Sequence, residues 1–145
     1  MSSVFLPPEY TRLVTIVAHV DHGKTSLADN LIEHNGIISE RLAGTLRYLD
    51  SDPEEQRRGI TMRSSAIGLQ HQFQAKGKDA KLQKHIIHLL DSPGHSDFSM
   101  EVSSALMACD SCLLVVDAVE GMAPRTHQVL REAHLHRLVP ILVIN

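Results

Sequence analysis

The sequence predicts an α/β fold in which a mostly parallel sheet is flanked by helices, and three observations support this prediction. Short runs rich in β-branched residues alternate along the chain with segments of helical apolar periodicity. Such alternation produces parallel strands with helices on both faces of the sheet. A Gly-Lys-Thr sequence at residues 23–25 lies between the first predicted strand and the first predicted helix. The length of 145 residues suits one domain with a single core.

The first half of the chain is predicted to begin with a strand and a helix. Residues 1–11 are expected to be a flexible lead-in, followed by a strand at 13–18 that is buried on both faces. Residues 25–34 carry apolar side chains at helical spacing and stop at an Asn-Gly pair. Residues 36–62 are long, charged and weakly periodic, so they are expected to be functional or mobile.

The second half is predicted to contain a hairpin and two further helix–strand pairs. Residues 64–73 and 84–90 have the pattern of hairpin strands joined by a polar connector at 75–81. The remaining predicted elements are, in chain order, a helix at 98–107, a strand at 113–116, an amphipathic helix at 126–136 whose apolar side includes Leu135, and a strand at 139–144.

Composition excludes several classes of protein. Apolar residues make up 43% and charged residues 21%, which is typical of a folded globular domain. Aromatic residues are only 3%, too few for a stacking platform for single-stranded RNA. The net charge of −3 gives no overall basic field, and no apolar run reaches the roughly 18 residues that span a bilayer. We therefore expect a cytoplasmic protein that has no targeting signal and engages neither membrane nor DNA.

Cysteine and histidine spacing does not predict a metal site. Cys109 and Cys112 form a lone C-x-x-C without the second pair that a structural zinc site needs. They are predicted to be small buried residues at the entry of a strand. Two histidine pairs also lack carboxylates or cysteines at ligand spacing and are predicted to lie on element surfaces: His85 with His88, and His134 with His136.

Residues 18–25, Ala-His-Val-Asp-His-Gly-Lys-Thr, have the strand-to-helix context of a phosphate-binding loop and predict a P-loop NTPase fold. Backbone N–H groups of such a loop point at phosphate oxygens. Lys24 would bring positive charge to the β- and γ-phosphates, and Thr25 would offer its hydroxyl to Mg²⁺. Ala18 stands where the general pattern has glycine. The predicted phosphate contacts are His19, Val20, Asp21, His22, Gly23, Lys24 and Thr25.

A second motif, Asp-Ser-Pro-Gly-His at residues 91–95, directly follows a predicted strand. Asp91, at the carboxyl end of that strand, could hold Mg²⁺ through water. Gly94 lets its backbone N–H approach a γ-phosphate because no side chain intervenes. His95 lies where an imidazole could orient an attacking water. The alternative is a Pro-Gly turn followed by an incidental surface histidine.

A third motif, Arg-Gly-Ile-Thr, ends the long segment at Thr61. A threonine there can close over Mg²⁺ and the γ-phosphate in the triphosphate state and release after hydrolysis. The adjacent Arg57 and Arg58 are expected to form surface pairs with Glu54 and Glu55, and no arginine is assigned as a catalytic finger.

The three motifs together resemble those of the translational GTPases, and residues 91–99 are similar to the elongation factor 2 and elongation factor G branch. This resemblance covers nearly all of residues 12–145. A narrower resemblance, to the elongation factor-like GTPases of large ribosomal subunit maturation, rests on residues 36–67. Ser96 and Met100 depart from the branch, which commonly has Val and Ser at these positions.

The resemblance implies binding of GTP and Mg²⁺ and hydrolysis of GTP stimulated by the large ribosomal subunit. His95 would be the catalytic residue, beside an apolar gate of Val20 and Ile60, while Asp21 would help to bind a monovalent cation. The implied metal-site residues are Thr25, Thr61 and Asp91.

The implied role is release of an anti-association factor from the large subunit during its cytoplasmic maturation, together with the Shwachman–Bodian–Diamond syndrome protein. Two alternatives remain: a translocation GTPase of the elongation factor 2 type, and an incomplete, non-catalytic fragment. The lysines of the 75–81 connector would either contact ribosomal RNA or lie in a solvated loop.

Asn145 is the last residue and stands where the family's guanine-reading Asn-Lys-x-Asp motif begins. The sequence therefore predicts that residues 1–145 are the N-terminal portion of a translation-factor-type GTP-binding domain, truncated before that motif is complete. Asn145 is counted among the nucleotide-binding residues. The Asp that would pair with guanine is not in the sequence. Guanine specificity is therefore implied by the family resemblance alone.

Overall fold

The computed structural model describes residues 6–41, 43, 46–50, 52–58, 60–74 and 82–145. The predicted connector at 75–81 and the first five residues of the predicted lead-in lie outside the described residues. The described elements are, in chain order, β1 Thr11–Ala18, α1 Lys24–His34, α2 Pro53–Arg58, β2 Ser65–Gln74, β3 Leu82–Asp91, α3 Ser99–Ala108, β4 Ser111–Val116, α4 Pro124–Leu135 and β5 Val139–Ile144.

The five described strands form one sheet in the order β2-β3-β1-β4-β5. β1 lies parallel to both β3 and β4, and β5 lies parallel to β4. β2 pairs antiparallel with β3, so the predicted hairpin is confirmed. The four parallel strands deliver their carboxyl ends to one edge of the sheet, which is where ligands bind in open α/β folds. The predicted α/β fold is therefore confirmed.

Helices cover both faces of the sheet, and each face has its own core. On one face, Val17 of β1 packs in a cluster with side chains of α3 and α4. On the other face, the neighbouring Ile16 and Ala18 pack in a cluster with side chains of α1. Successive side chains of a strand point to opposite faces, which explains why the last three residues of β1 are all apolar.

Four of the described residues in the predicted lead-in, 8–11, belong to regular structure. Pro8–Tyr10 form a 3₁₀ turn, and β1 begins at Thr11. Proline restricts φ to helical values at the start of this turn. The Tyr10 ring then packs edge-on against His85 of β3, with 5.4 Å between ring centroids. This tertiary contact ties the turn to the sheet and could not be predicted from local sequence.

The long segment predicted at 36–62 contains a helix that the sequence analysis missed. This helix, α2, has only six residues, too few to show a period. Its Glu54 accepts hydrogen bonds from Arg57 at 2.9 Å and from Arg58 at 2.6 Å, so this part of the predicted surface pairing is confirmed. Proline at the first position, acidic residues in the first turn and basic residues in the last turn are the signals that favour a helix here.

Glu55 does not join this surface pairing, contrary to expectation. It is buried, and its carboxylate Oε1 accepts the backbone N–H groups of Met62 at 2.7 Å and Arg63 at 2.9 Å. Residues three and four apart share a helix face, so Glu54 meets the two arginines while its neighbour points elsewhere. Glu55 thereby fixes the backbone that follows Thr61.

α4 begins at Pro124, two residues before its predicted start, because proline is well suited to the first helical position. Leu135 was wrongly assigned to the apolar side of this helix. It is 76% exposed, whereas Val129 and Ala133 are buried in the core.

The two cysteines are buried free thiols, as predicted. Burial raises the pKa of the Cys109 thiol to about 11 and raises that of Cys112 as well. Both thiols are therefore protonated at neutral pH, which suits a packing role rather than redox or metal chemistry.

Most members of the two histidine pairs lie on element surfaces. His88, His134 and His136 are exposed, while His85 is half-buried beside Tyr10. Among the described residues, no group of three or more His, Cys, Asp or Glu side chains is placed to hold a metal ion. No described helix is long and apolar enough to cross a membrane.

Candidate functional site

The three sequence motifs meet around one cavity at the carboxyl edge of the sheet. The cavity has a volume of ≈ 180 Å³ and is lined by the loop after β1, the start of α1, Ile60 with Thr61, and Gly94 with His95. The motifs are tens of residues apart in the chain. The topology brings them together because β1 and β3 are adjacent parallel strands, and the loops that follow them leave the same edge.

The loop between β1 and α1 has the backbone shape of an anion cradle. Asp21 and Gly23 both adopt positive φ, at 63° and 91°. Backbone turns of this kind point successive N–H groups into one concavity, and the first N–H groups of α1 add to it. The predicted phosphate contacts of this loop are thus placed where an anion could be held by backbone donors.

Gly23 is required at its position for two independent reasons. Its φ of 91° is rarely adopted by residues that have a side chain. A Cβ atom on Gly23 would also overlap with Nδ2 of Asn145. That Nδ2 donates a hydrogen bond to the His22 carbonyl at 3.2 Å. Asn145, predicted as a nucleotide-binding residue, therefore supports the phosphate loop from behind.

We expect Gly23→Ala in the full-length protein to cost stability and to weaken nucleotide binding. The left-handed backbone conformation alone should cost about 1–2 kcal/mol, and displacement of Asn145 should add to this. Gly36→Ala is the matched control, because Gly36 also has a positive φ, 73°, while nothing lies within 4 Å of its hypothetical Cβ. Chemical denaturation of the two variants measures the difference. Equal losses of stability would contradict a role for the Asn145 contact.

Lys24, the first residue of α1, is buried and bound to two other predicted site residues. Its ammonium group donates to Asp91 Oδ1 at 2.5 Å and to Thr61 Oγ1 at 2.9 Å. Burial raises the pKa of the Asp91 carboxyl above its ordinary value, and the nearby Lys24 charge acts in the opposite direction. Lys24 therefore provides the charge that compensates a fully buried carboxylate.

The site has the oxygen atoms that Mg²⁺ prefers. Oδ2 of Asp91 is buried and has no hydrogen-bond partner within the described structure. The Lys24 ammonium contacts both Thr61 Oγ1 and the other oxygen of Asp91, Oδ1, so these two oxygens lie near each other. Thr25 lines the same cavity. Mg²⁺ is commonly bound by one or two protein oxygens together with substrate phosphates and water. The predicted set of Thr25, Thr61 and Asp91 fits this ion.

Two residues that the sequence analysis missed extend this network. Asp50 is fully buried, and its Oδ1 accepts the Thr61 hydroxyl at 2.8 Å. Arg47 lines the cavity and donates from Nε to the other oxygen of Asp50 at 2.6 Å, and its Nη2 lies 2.5 Å from the same oxygen in an ion pair. Both residues lie in the 36–67 stretch that carries the narrower family resemblance, but that resemblance assigned no role to either of them.

Gly94 brings its backbone against the phosphate loop. A Cβ on Gly94 would lie 3.2 Å from the carbonyl oxygen of Ala18 and 3.6 Å from the backbone nitrogen of Val20. The first of these distances is closer than most real Cβ contacts. Because glycine has no side chain, the loop after β3 can pack directly on the loop after β1.

His95 lines the cavity and has a defined ring orientation. Its Nδ1 accepts the backbone N–H of Asp97 at 3.2 Å, so the proton of a neutral ring lies on Nε2. The ring also packs edge-on near Phe98, with 6.2 Å between centroids. Val20 and Ile60, the predicted gate residues, line the same cavity.

The His22 side chain points away from the cavity, although its backbone belongs to the loop. The ring is buried, and its Nδ1 accepts the N–H of Asp117 at 3.3 Å. Nε2 therefore carries the proton and donates to Glu120 at 3.1 Å. The backbone N–H groups of Glu120 and Val119 lower the pKa of Asp117. His22 thus connects the phosphate loop to the loop that follows β4.

The fold and this site define a nucleotide-binding domain of the P-loop class. Residues 9–145 match the family Elongation factor Tu GTP binding domain, and the chain belongs to that family. The resemblance to translational GTPases is confirmed, and with it the assignment of a GTP-binding domain.

Individual relatives indicate which subfamily this chain resembles. Over 134 residues the chain is 58% identical to Elongation factor-like GTPase 1 of Homo sapiens, a match covering 92% of this chain and 11% of that protein. It is 54% identical over 141 residues to Ribosome assembly protein 1 of Saccharomyces cerevisiae, covering 95% of this chain and 13% of that protein. Elongation factor 2 of Methanosphaerula palustris is 45% identical over 145 residues, 19% of its length. The predicted subfamily resemblance is confirmed.

A solved structure supports the same fold. A crystal structure of a protein from Thermus thermophilus superposes with a TM-score of 0.74 at 28% identity, covering 92% of this chain and 19% of that one. The chain therefore spans between a tenth and a fifth of the length of the relatives and the structure it matches.

Proposed function

We propose that this domain binds GTP with Mg²⁺ and hydrolyses it when stimulated by the large ribosomal subunit. The observation that supports this most directly is the meeting of Lys24, Thr61 and Asp91 beside the phosphate loop. A buried ammonium, a hydroxyl and an unpartnered carboxylate oxygen at a helix N-terminus have the chemistry needed to hold a nucleotide triphosphate with its metal.

The proposed mechanism assigns positioning and charge stabilisation to the protein. Lys24 would move from Asp91 to the β- and γ-phosphates, while backbone N–H groups at 21–25 cradle them. Mg²⁺, when bound, would neutralise charge on the phosphate oxygens. Because Thr25, Thr61 and Asp91 would hold this ion, the buried carboxylate would keep a neighbouring positive charge after Lys24 moves.

His95 would act on the attacking water. A neutral ring with its proton on Nε2 and Nδ1 engaged by the Asp97 N–H can donate to a water but cannot accept its proton at Nδ1. His95 would therefore orient the water through a hydrogen bond, and the apolar side chains of Val20 and Ile60 would limit its approach. Stimulation by the ribosome would consist of moving His95 inward from its present, 41% exposed position.

We further propose that the hydrolysis serves cytoplasmic maturation of the large ribosomal subunit. The name of the yeast relative, Ribosome assembly protein 1, supports this role, as does the lower identity of the elongation factors 2. The proposed partners are the large subunit, an anti-association factor released from it, and the Shwachman–Bodian–Diamond syndrome protein. A translocation GTPase is the second candidate, favoured by identities of 45% and 46% to two elongation factors 2.

Nucleotide titration and turnover of the full-length protein test the proposal. We expect GTP to bind in the presence of Mg²⁺ at least about 100-fold more tightly than ATP, since base readers of this kind discriminate strongly. We expect large ribosomal subunits, but not small ones, to accelerate hydrolysis. Equal affinity for ATP and GTP, or a hydrolysis rate indifferent to large subunits, would refute it. Acceleration by intact translating ribosomes but not by free large subunits would favour translocation instead.

A further inference from the structure

Arg47 is held in an unusual backbone conformation at the edge of the cavity. Its φ of 49° lies in the left-handed region, which residues with side chains adopt infrequently. The conformation is secured by Asp29, a buried residue of α1. The Asp29 carboxylate accepts the N–H groups of Arg47 and Tyr48, each at 2.9 Å. A strained backbone conformation persists where surrounding contacts hold it in place, and such conformations are concentrated at functional sites.

The guanidinium of Arg47 engages the carboxylate of Asp50, which Thr61 also contacts. Nε donates to Oδ2 of Asp50, Nη2 forms an ion pair with the same oxygen, and Oδ1 accepts the Thr61 hydroxyl. Asp50 is fully buried, and the Arg47 side chain is 28% exposed. The charge-assisted hydrogen bond and ion pair from Arg47 therefore set the position of the carboxylate, and the carboxylate sets the direction of the Thr61 hydrogen.

The direction of that hydrogen decides what Thr61 can offer to the cavity. Because the hydroxyl donates to Asp50, its lone pairs are free to accept, and one of them accepts from Lys24 at 2.9 Å. A lone pair is also what a hydroxyl presents to Mg²⁺. If the Lys24 ammonium moves to a phosphate, Thr61 remains oriented to accept a cation in its place.

We propose that Arg47 is a positioning residue that acts through Asp50 to orient the Thr61 hydroxyl, and that it thereby favours the triphosphate over the diphosphate. This inference rests on the proposed GTP-binding function. Thr61 is the group expected to sense the γ-phosphate and its metal, so a residue that fixes Thr61 affects GTP more than GDP. An ion pair with a merely structural role would affect both nucleotides equally.

The test compares the affinities of the full-length protein for a non-hydrolysable GTP analogue and for GDP, both with Mg²⁺. We expect Arg47→Ala to weaken binding of the analogue about tenfold, which is the size of one lost charged hydrogen bond. Binding of GDP should weaken less than about twofold. In a Thr61→Ala background, Arg47→Ala should change the affinity ratio by less than about twofold, because the effect passes through Thr61.

Two further variants keep the test decisive. Arg57→Ala removes an arginine whose side chain is 75% exposed and paired with Glu54, and it should leave both affinities unchanged. Asp50→Asn retains the shape of the side chain, and it should weaken binding of the analogue more than binding of GDP, as Arg47→Ala does. It replaces Arg47→Ala in the test if that variant does not fold. Equal weakening of both nucleotides, or independent effects of Arg47→Ala and Thr61→Ala, would overturn the inference. Failure of the unchanged protein to bind GTP would overturn the proposed function and the inference with it.

Discussion

Lys24→Met is expected to abolish nucleotide binding by the full-length protein and to make its stability depend steeply on pH. Methionine retains most of the volume of the lysine stem but has no charge. The phosphates would lose an ammonium that the loop places at the start of α1. With two charged hydrogen bonds lost, affinity should fall by about 100-fold or more. Lys84→Met, at an exposed position of β3, is the matched control.

The stability effect of Lys24→Met follows from Asp91. Breaking a buried ion pair by removing one partner costs about 3–5 kcal/mol. Burial already raises the pKa of Asp91 from its ordinary 3.8, and loss of Lys24 removes an opposing effect, so the pKa should rise further. A carboxyl whose pKa is raised in the folded state stabilises that state when protonated. Stability should therefore fall as pH rises from 3.8 through the raised pKa, and acidification should restore it.

Denaturant unfolding of Lys24→Met between acidic and neutral pH measures this dependence. The double variant Lys24→Met with Asp91→Asn should recover stability at neutral pH without recovering nucleotide binding, because the uncompensated charge is gone while the phosphate ligand is still missing. A pH profile of Lys24→Met parallel to that of the unchanged protein would show that Asp91 is not the group responsible.

His95→Ala is expected to lower hydrolysis stimulated by the large subunit by about 100- to 1,000-fold while leaving GTP affinity within about twofold. His95 lines the cavity with a side chain that is 41% exposed, and it takes part in none of the described hydrogen bonds of Lys24, Thr61 and Asp91. Its removal should therefore affect the reacting water rather than the binding of phosphates.

Single-turnover hydrolysis with saturating large subunits, together with equilibrium titration, separates these two quantities. His34→Ala is the control, since His34 is a histidine with an 85% exposed side chain at the far end of α1. An unchanged hydrolysis rate would assign the water to another group. A parallel fall in GTP affinity would instead give His95 a role in holding the nucleotide.

Local patterns determined which elements the chain forms and where its motifs lie. The strands at 13–18, 84–90, 113–116 and 139–144 were predicted from apolar runs, and in the structure each of the first three begins two residues earlier. Chain order alone implied that the loops after these strands share one edge of the sheet. The convergence of the phosphate loop, Asp91 and Asn145 could therefore be predicted without coordinates.

The conformation of the long segment at 36–62 could not be predicted in this way. α2 is too short to have a period, and the left-handed conformation of Arg47 has no local signature in its sequence. Both depend on contacts with other elements. Asp29, for example, binds backbone groups 18 and 19 residues further along the chain.

The sequence by itself determined the family, the sheet, and the residues that we propose to bind phosphate and metal. Only the tertiary structure decided how those residues are supported: Glu55 behind the Thr61 backbone, Asp50 and Arg47 beside its hydroxyl, and Asn145 beneath Gly23. The physical reason is that periodicity and turn chemistry specify backbone paths, which are local. The direction of a buried polar side chain depends on which donor or acceptor the rest of the fold brings within about 3 Å.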